Sequence, residues 1–218
     1  MIVNLKYYTP WPALACAEAA ALCTNYTGDP MDALRGAMAA GHESVLEHAC
    51  FTFHVSGVSR VLLAQLTRHR LASYSVQSQR YCGADMRLVI PDSMARADLV
   101  DDIVTARKVV EDLYAKAISL GVPEEDARYF TFQAGVTSLD ITMNARELRH
   151  FFSLRCCNRA QWEIRELADK MLKLCKQAAP ALFEHAGPGC VWGGCPEGKK
   201  CCGKPRKADD WDTPMEEA

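Results

Sequence analysis

The chain has 218 residues, 49% hydrophobic and 24% charged, with a formal net charge of −2. That is enough for one domain with a substantial core, and the composition is that of an ordinary soluble globular protein. The near-neutral balance counts against a non-specific nucleic-acid binder, which needs an extended basic stripe. The N-terminal residues show no charged-then-apolar leader, and no run of about 18 apolar residues could span a membrane. The eleven cysteines are therefore expected to be reduced thiols in the cytoplasm, several of them acting as small buried hydrophobes.

In chain order, residues 13–24 are alanine-rich and predict a helix with Pro12 near its start. Asp29-Pro30 predicts an N-cap followed by Pro at the first helical position, with Gly41 closing the helix. Ser44-Val45-Leu46-Glu47 has capping-box spacing. Residues 50–56 alternate, with Phe51, Phe53 and Val55 on one face, and predict a half-buried strand. Ser59 begins a predicted helix with Leu62, Leu63 and Leu66 toward the core. Gln65, Arg68 and His69 would then form one polar stripe at its end, followed by a serine-bearing loop with Ser73, Ser75 and Ser78. Residues 87–90 predict a short strand, 95–120 one long helix, 124–130 another helix, and 137–143 a β-branched strand. Asn144 opens a helix with Leu148, Phe151 and Phe152, and residues 159–178 form the last long helix, ended by Pro180. The elements do not alternate as βαβ units, so the predicted class is α+β, mixed helices around a small antiparallel sheet.

Residues 187–218 differ in kind, with Cys190, Cys195, Cys201 and Cys202 among Gly and Pro before an acidic end. The expected division is a domain over 1–186 and a Cys-rich tail over 187–218. The cysteine spacing departs from paired Cys-x2-Cys knuckles. A partly ordered appendage is the favoured reading, with zinc the weaker alternative, so no metal is assigned.

The most informative stretch runs from Arg68 to Arg80. Residues 48–84 contain no Asp or Glu but include Arg60, Arg68, Arg70 and Arg80. A solvated surface mixes charge signs, so this block implies a local positive field awaiting an anion. Arginine forks match phosphate and carboxylate bidentately.

Arg68-His69-Arg70, a seven-residue spacer and Ser78 resemble the signature of the flavin-dependent thymidylate synthases, as do the Arg80-Tyr81 that follow. Gly41-His42-Glu43-Ser44-Val45-Leu46-Glu47-His48 is similar to another segment of that family, as is Gln65 ahead of Arg68. Arg128, standing sixteen residues before Asn144, matches as well, and so do Asn144-Ala145-Arg146 running to Leu154-Arg155 and the following Ala160-Gln161-Trp162-Glu163-Ile164. The resemblance leaves out the middle helix and the tail. Departures include Ser75-Val76 in place of Asn-Glu, Thr131-Phe132 in place of Leu-Pro, and Arg159 where some members carry a flavin-side histidine.

The resemblance implies a thymidylate synthase-complementing-like fold and reductive methylation of dUMP to dTMP. Methylenetetrahydrofolate would supply the carbon, NADPH the electrons and bound FAD the relay, in a homotetramer with active sites shared between subunits. By position it implies that Gln65, Leu66, Thr67, Arg68, Val76, Gln77, Ser78, Gln79, Arg80, Arg128 and Arg155 hold dUMP, with Arg155 the catalytic residue that stabilises the ionised pyrimidine. It implies that Ser44, Glu47, Arg68, His69, Arg70, Asn144, Arg146 and His150 hold FAD. Arg146 and Arg155 are nine residues apart on one helix, which predicts that they serve different ligands or different subunits' sites. Ser78 lacks an evident base and orienter for nucleophilic work. The competing classes are a non-catalytic nucleotide- or RNA-binding module using Tyr74 and Tyr81 as stacking groups, and a thiol or zinc protein centred on the tail.

Overall fold

In the computed structural model, which describes residues 1–212, the chain opens on β1 (Ile2–Tyr8) and two helices, α1 (Pro12–Thr24) and α2 (Pro30–Ala39). Asp29 caps α2 by accepting from the Met31 N–H at 2.9 Å. Gly41, at φ +76°, ends it in a left-handed conformation that suits glycine. A 3-10 turn (Glu43–His48) leads into β2 (Cys50–Ser59), α3 (Arg60–Leu66) and β3 (Ala72–Val76). Next come α4 (Asp92–Arg96), α5 (Val100–Ser119), α6 (Glu124–Ala127), a 3-10 turn (Arg128–Phe130) and β4 (Val136–Asn144). The described chain closes with α7 (Ala145–Arg155), α8 (Trp162–Ala178), α9 (Pro180–Phe183) and three short 3-10 turns.

The strands form one four-stranded antiparallel sheet in the order β1-β2-β4-β3. Its register is marked by Thr52 opposite Thr142 (Oγ1 to Oγ1, 2.9 Å) and His54 opposite Asp140 (2.8 Å). Phe51, Phe53 and Val55 are fully buried, as their alternation predicted. With helices and this sheet, the α+β reading holds.

The described residues divide into two compact units. The first comprises residue 1 with 55–68 and 75–139, and buries Val58, Leu62, Leu66, Ala127 and Leu139. The second comprises 2–54, 69–74 and 140 onward. Its core holds an aromatic chain in which Phe183 meets Phe51 edge-on at 5.3 Å and Phe152 at 6.0 Å. The amphipathic α8 adds Ile164, Leu167, Met171, Leu172 and Cys175, all fully buried.

Several elements differ from the sequence pattern, each for a local reason. The Ser44 capping box does not form. His42 takes the N-cap position without a side-chain bond, and the segment winds as a 3-10 turn. Ser59 does cap α3, accepting from the Leu62 N–H at 3.0 Å. That helix stops at Leu66 with Thr67 as its C-cap, whose N–H and hydroxyl both reach the Leu63 carbonyl at 3.0 Å. Arg68 and His69 therefore leave the helix instead of sharing a stripe with Gln65; Arg68 is exposed and His69 is buried. Ser73 and Ser75 lie on the exposed face of β3 and not in a loop. Residues 87–90 make only a single bridge, Leu88 to Gly135. The predicted 95–120 helix breaks at Asp98, whose φ of +58° separates α4 from α5. Leu99, just ahead of α5, and Leu113 within it are exposed, and Ala117 is the helix's buried residue. The last long helix starts at Trp162, capped by Gln161.

The tail segment is docked as far as it is described. Arg206 Nη1 donates to Asp169 (3.1 Å) and to the Cys156 carbonyl (3.2 Å). Trp211 is 2% exposed and donates through Nε1 to Asp169 at 2.8 Å. The last six residues of the predicted tail lie outside the described residues. All eleven cysteines are free thiols. Cys16, Cys156 and Cys175 are buried, while Cys23, Cys50 and Cys82 are exposed and not core residues. Among the described residues no three His, Cys, Asp or Glu side chains gather as a metal site.

Candidate functional site

In the second unit the site is built on the ends of α7. At its start Asn144 Oδ1 accepts from the Glu147 N–H at 2.9 Å and fixes the first turn. Arg146, next to the cap, donates to Glu47 Oε1 at 2.6 Å. Both side chains are about half exposed and face a polar cavity of about 720 Å³ that Asn144, His150 and Ser153 also line. Deeper on the same wall Arg149 reaches Glu43 (3.0 Å) and the Leu182 carbonyl (2.8 Å). Ser44 lines a different, more apolar cavity of about 660 Å³, with Tyr26, Asp32 and His42.

At the other end of α7, Arg155 Nε donates to His69 Nε2 at 3.0 Å. His69 Nδ1 lies 3.1 Å from Glu147 Oε1, and both side chains are nearly fully buried. A ring nitrogen that accepts from a guanidinium cannot itself carry a proton. Nε2 is therefore bare, and Nδ1–H donates to the carboxylate. Burial holds the His69 pKa below its ordinary 6.5 and Arg155 pushes the same way, against the opposing pull of Glu147. The ring is wedged edge-on against Phe151 at 4.9 Å, and the Tyr74 hydroxyl donates to the His69 carbonyl at 2.8 Å. Burial raises the Tyr74 pKa, so this phenol stays protonated. A carboxylate, a neutral imidazole and a guanidinium thus stand in line, with Arg155 oriented through its Nε.

The first unit carries the other predicted residues. Gln77 N–H pairs with the Ser138 carbonyl at 2.9 Å, where β3 ends at Val76. Ser78 Oγ accepts from the Arg80 N–H at 3.1 Å, shaping a turn instead of standing beside a base. Arg80 pairs with Glu125 at 2.7 Å, and Arg128 Nε donates to the Glu125 carbonyl at 2.9 Å. Gln79 Nε2 approaches Thr131 Oγ1 at 3.5 Å. Gln65 is half-buried, Arg68 exposed, and Leu66 fully buried, so only the backbone of Leu66 is left to touch a ligand. Gln79 and Arg128 share an open cavity of about 290 Å³ with Arg60.

The predicted residues thus fall into two groups. Glu47, Asn144, Arg146 and His150 come together at one cavity, and His69 with Arg155 behind it. Gln77, Ser78, Gln79, Arg80 and Arg128 come together in the other unit. Arg70 is exposed. Glu147 and Arg149 are residues that sequence reasoning gave no place in the site, and Tyr74, read there only as a stacking group, instead holds the His69 carbonyl. Glu147 could have been found, because a glutamate three residues into a helix beside a buried histidine has reason to pair with it.

The chain matches the family model described as thymidylate synthase complementing protein over residues 4–181. It is 47% identical to a flavin-dependent thymidylate synthase from Geobacter sulfurreducens, with 94% of each chain covered. It is 43% identical to one from Clostridium tetani, with 93% of each covered. Among solved structures, the flavin-dependent thymidylate synthase ThyX of Helicobacter pylori, complexed with FAD and dUMP, superposes with a TM-score of 0.70 at 27% identity, covering 86% of this chain and all of that one. The UMP/dUMP methylase PolB of Streptomyces cacaoi, bound with 5-Br dUMP, shares the fold with a TM-score of 0.76 at 24% identity, over 84% of this chain and 93% of that one. The chain therefore belongs to the thymidylate synthase complementing protein family, the flavin-dependent thymidylate synthases.

Proposed function

We propose that this chain methylates dUMP to dTMP, with methylenetetrahydrofolate as carbon donor, NADPH as reductant and FAD as cofactor, in a cytoplasmic homotetramer. The observation that carries the reading is the buried Glu147–His69–Arg155 array, in a chain 47% identical to a flavin-dependent thymidylate synthase over nearly its whole length.

The cavity beside α7 is lined by both signs of charge, with Glu43, Glu47 and Glu147 beside Arg146, Arg149 and His150, a polar wall that supports a hydrogen-bonding cofactor. Arg146 keeps half of its side chain exposed there, and Asn144 and His150 add polar groups to the wall. Asn144, Arg146, His150 and Glu47 would hold FAD at this wall, with Ser44, Arg68, His69 and Arg70 as the remaining FAD contacts. When bound, the flavin supplies the electron transfer that no side chain can. Gln65, Leu66, Thr67, Arg68, Val76, Gln77, Ser78, Gln79, Arg80, Arg128 and Arg155 would hold dUMP. Arg155 has the catalytic part. Held by a neutral imidazole, its guanidinium stays cationic in one orientation and stabilises negative charge developing on the pyrimidine. Val76 carries no carboxylate, so any contact it makes is through its backbone.

The test is dUMP-dependent release of tritium from C5 by the yellow, flavin-loaded protein. Arg155→Ala is expected to abolish dTMP formation while the flavin absorbance is retained. Loss of flavin in that variant would overturn the division of roles, and a wild-type protein that releases no tritium would overturn the activity.

A further inference from the structure

Cys195 and Cys201 lie in the tail segment, which takes no part in the proposed ligand contacts. Residues 198–207 hold five cationic side chains and no Asp or Glu, and Cys201 is exposed among them. The chain turns at Gly203, φ +69°, and its N–H donates to Cys201 Sγ at 3.4 Å. The Lys204 N–H donates to Cys202 Sγ, also at 3.4 Å. Across the turn Gly198–Lys200 the Cys195 thiol hydrogen-bonds to Cys201. The turn is pinned from below: Arg159 Nη1 donates to the Lys200 carbonyl and Asn158 Nδ2 to the Lys204 carbonyl, each at 2.7 Å. The Gly203 N–H, the Cys195 thiol and the charge of Arg159 all favour a thiolate and hold the Cys201 pKa below its ordinary 9.0.

An exposed sulfur in a cationic setting, with donors directed at it, is the environment of a reactive cysteine. Adjacent cysteines close a disulfide only with strain, which disfavours Cys202 as the partner and leaves Cys195. Among the described residues no three ligating side chains gather, so the pair is suited to sulfur exchange and not to chelation.

We propose that Cys195 and Cys201 form a thiol–disulfide exchange site for a small anionic disulfide, with Cys201 the attacking thiol and Cys195 the resolving one. The Cys201 thiolate attacks one sulfur of the external disulfide, releasing one thiol and leaving a mixed disulfide. Cys195, deprotonated, then attacks the Cys201 sulfur and releases the second thiol. The two cysteines lose two electrons and two protons, and the external disulfide takes up both. The cationic stretch attracts the anionic oxidant, and the new bond closes the 195–201 loop over Arg159. The site is independent of the thymidylate reading.

The experiment uses the full-length, flavin-loaded protein, read by peptide mass mapping after alkylation. Limiting iodoacetamide should modify Cys201 about threefold faster than the exposed Cys23, Cys50 and Cys82, since a tenfold gain in thiolate comes with about a threefold loss of nucleophilicity. Excess oxidised glutathione should convert wild type to a Cys195–Cys201 bond that retains no glutathione. Cys195→Ser should stall with glutathione on Cys201, and in Cys201→Ser residue 195 should stay reduced. Alkylation of Cys201 no faster than of the other exposed thiols would overturn the proposal, and this needs no variant. So would a bond formed through Cys190 or Cys202 instead, a Cys195→Ser protein that retains no glutathione, or equimolar zinc that shields these thiols until it is chelated.

Discussion

Replacing Glu147 tests the array from its carboxylate end. Glu147→Leu keeps roughly the side-chain volume but removes the acceptor of the His69 Nδ1–H, which lies 3.1 Å away with both groups nearly fully buried. Leaving that donor unmade costs about 1–3 kcal/mol. Loss of the carboxylate from the first turn of α7 adds about 0.5 kcal/mol, so the total is about 1.5–3.5 kcal/mol. Glu147→Gln keeps an oxygen that can accept and forfeits only the charge, so about 1 kcal/mol is expected. Urea unfolding of both variants, with m-values checked for constancy, measures the difference. The second readout is ¹⁵N NMR of the imidazoles. Wild type and Glu147→Gln should show His69 protonated on Nδ1 and bare on Nε2. In Glu147→Leu the Nδ1–H signal should lose its hydrogen-bond shift, and turnover should fall on the order of 100-fold as the ring that orients Arg155 is no longer anchored. Equal stability of the Leu and Gln variants, or a wild-type His69 carrying its proton on Nε2, would refute the reasoning.

Two further outcomes follow from other parts of the chain. Trp211→Ala should cost the docked tail about 3 kcal/mol, seen as faster amide exchange over residues 200–212 with little change in the protection of α8, because the loss is local; unchanged exchange would show that Arg206 alone holds the segment. His69 has a folded pKa below 6.5, so the unfolded chain takes up its proton first. Its contribution to stability is complete above pH 6.5 and is lost as pH falls through the folded value, with a slope of at most about 1.4 kcal/mol per pH unit. Asp85, Asp140 and Asp210, held below 3.8, contribute only at lower pH. Denaturation curves of His69→Asn should therefore lose the slope just below pH 6.5 and keep the one below 3.8.

The sequence carried its local signals well where one force dominated. The alternation of Phe51, Phe53 and Val55, the Asp29-Pro30 cap and the helix start at Asn144 all read through to the structure, because burial and capping act over a few residues. Competing local options were harder. Ser73 and Ser75 look like loop residues, yet they sit on the solvent face of an edge strand, where polar groups are at home. Residues 95–120 hold no Gly or Pro, so no breaker residue announced the left-handed turn at Asp98. For the site, residue types and spacing singled out the arginines, but not which of them lack partners. Arg146 and Arg80 meet carboxylates, whereas the buried Arg60 Nε has no hydrogen-bond partner. That distinction depends on which acids the fold brings near, and residues distant in sequence decide it.

Helix α7 spans eleven residues, or about 16 Å of axial rise, and serves as a single shaft with a working part at each end. Adding or deleting one residue anywhere within it would rotate the far end by about 100° and swing Arg155 away from His69 while Arg146 stayed in place. Chimeras between relatives should therefore exchange this shaft whole, with splice points outside residues 144–155, whereas the irregular stretch at 187–200 offers a tolerant junction.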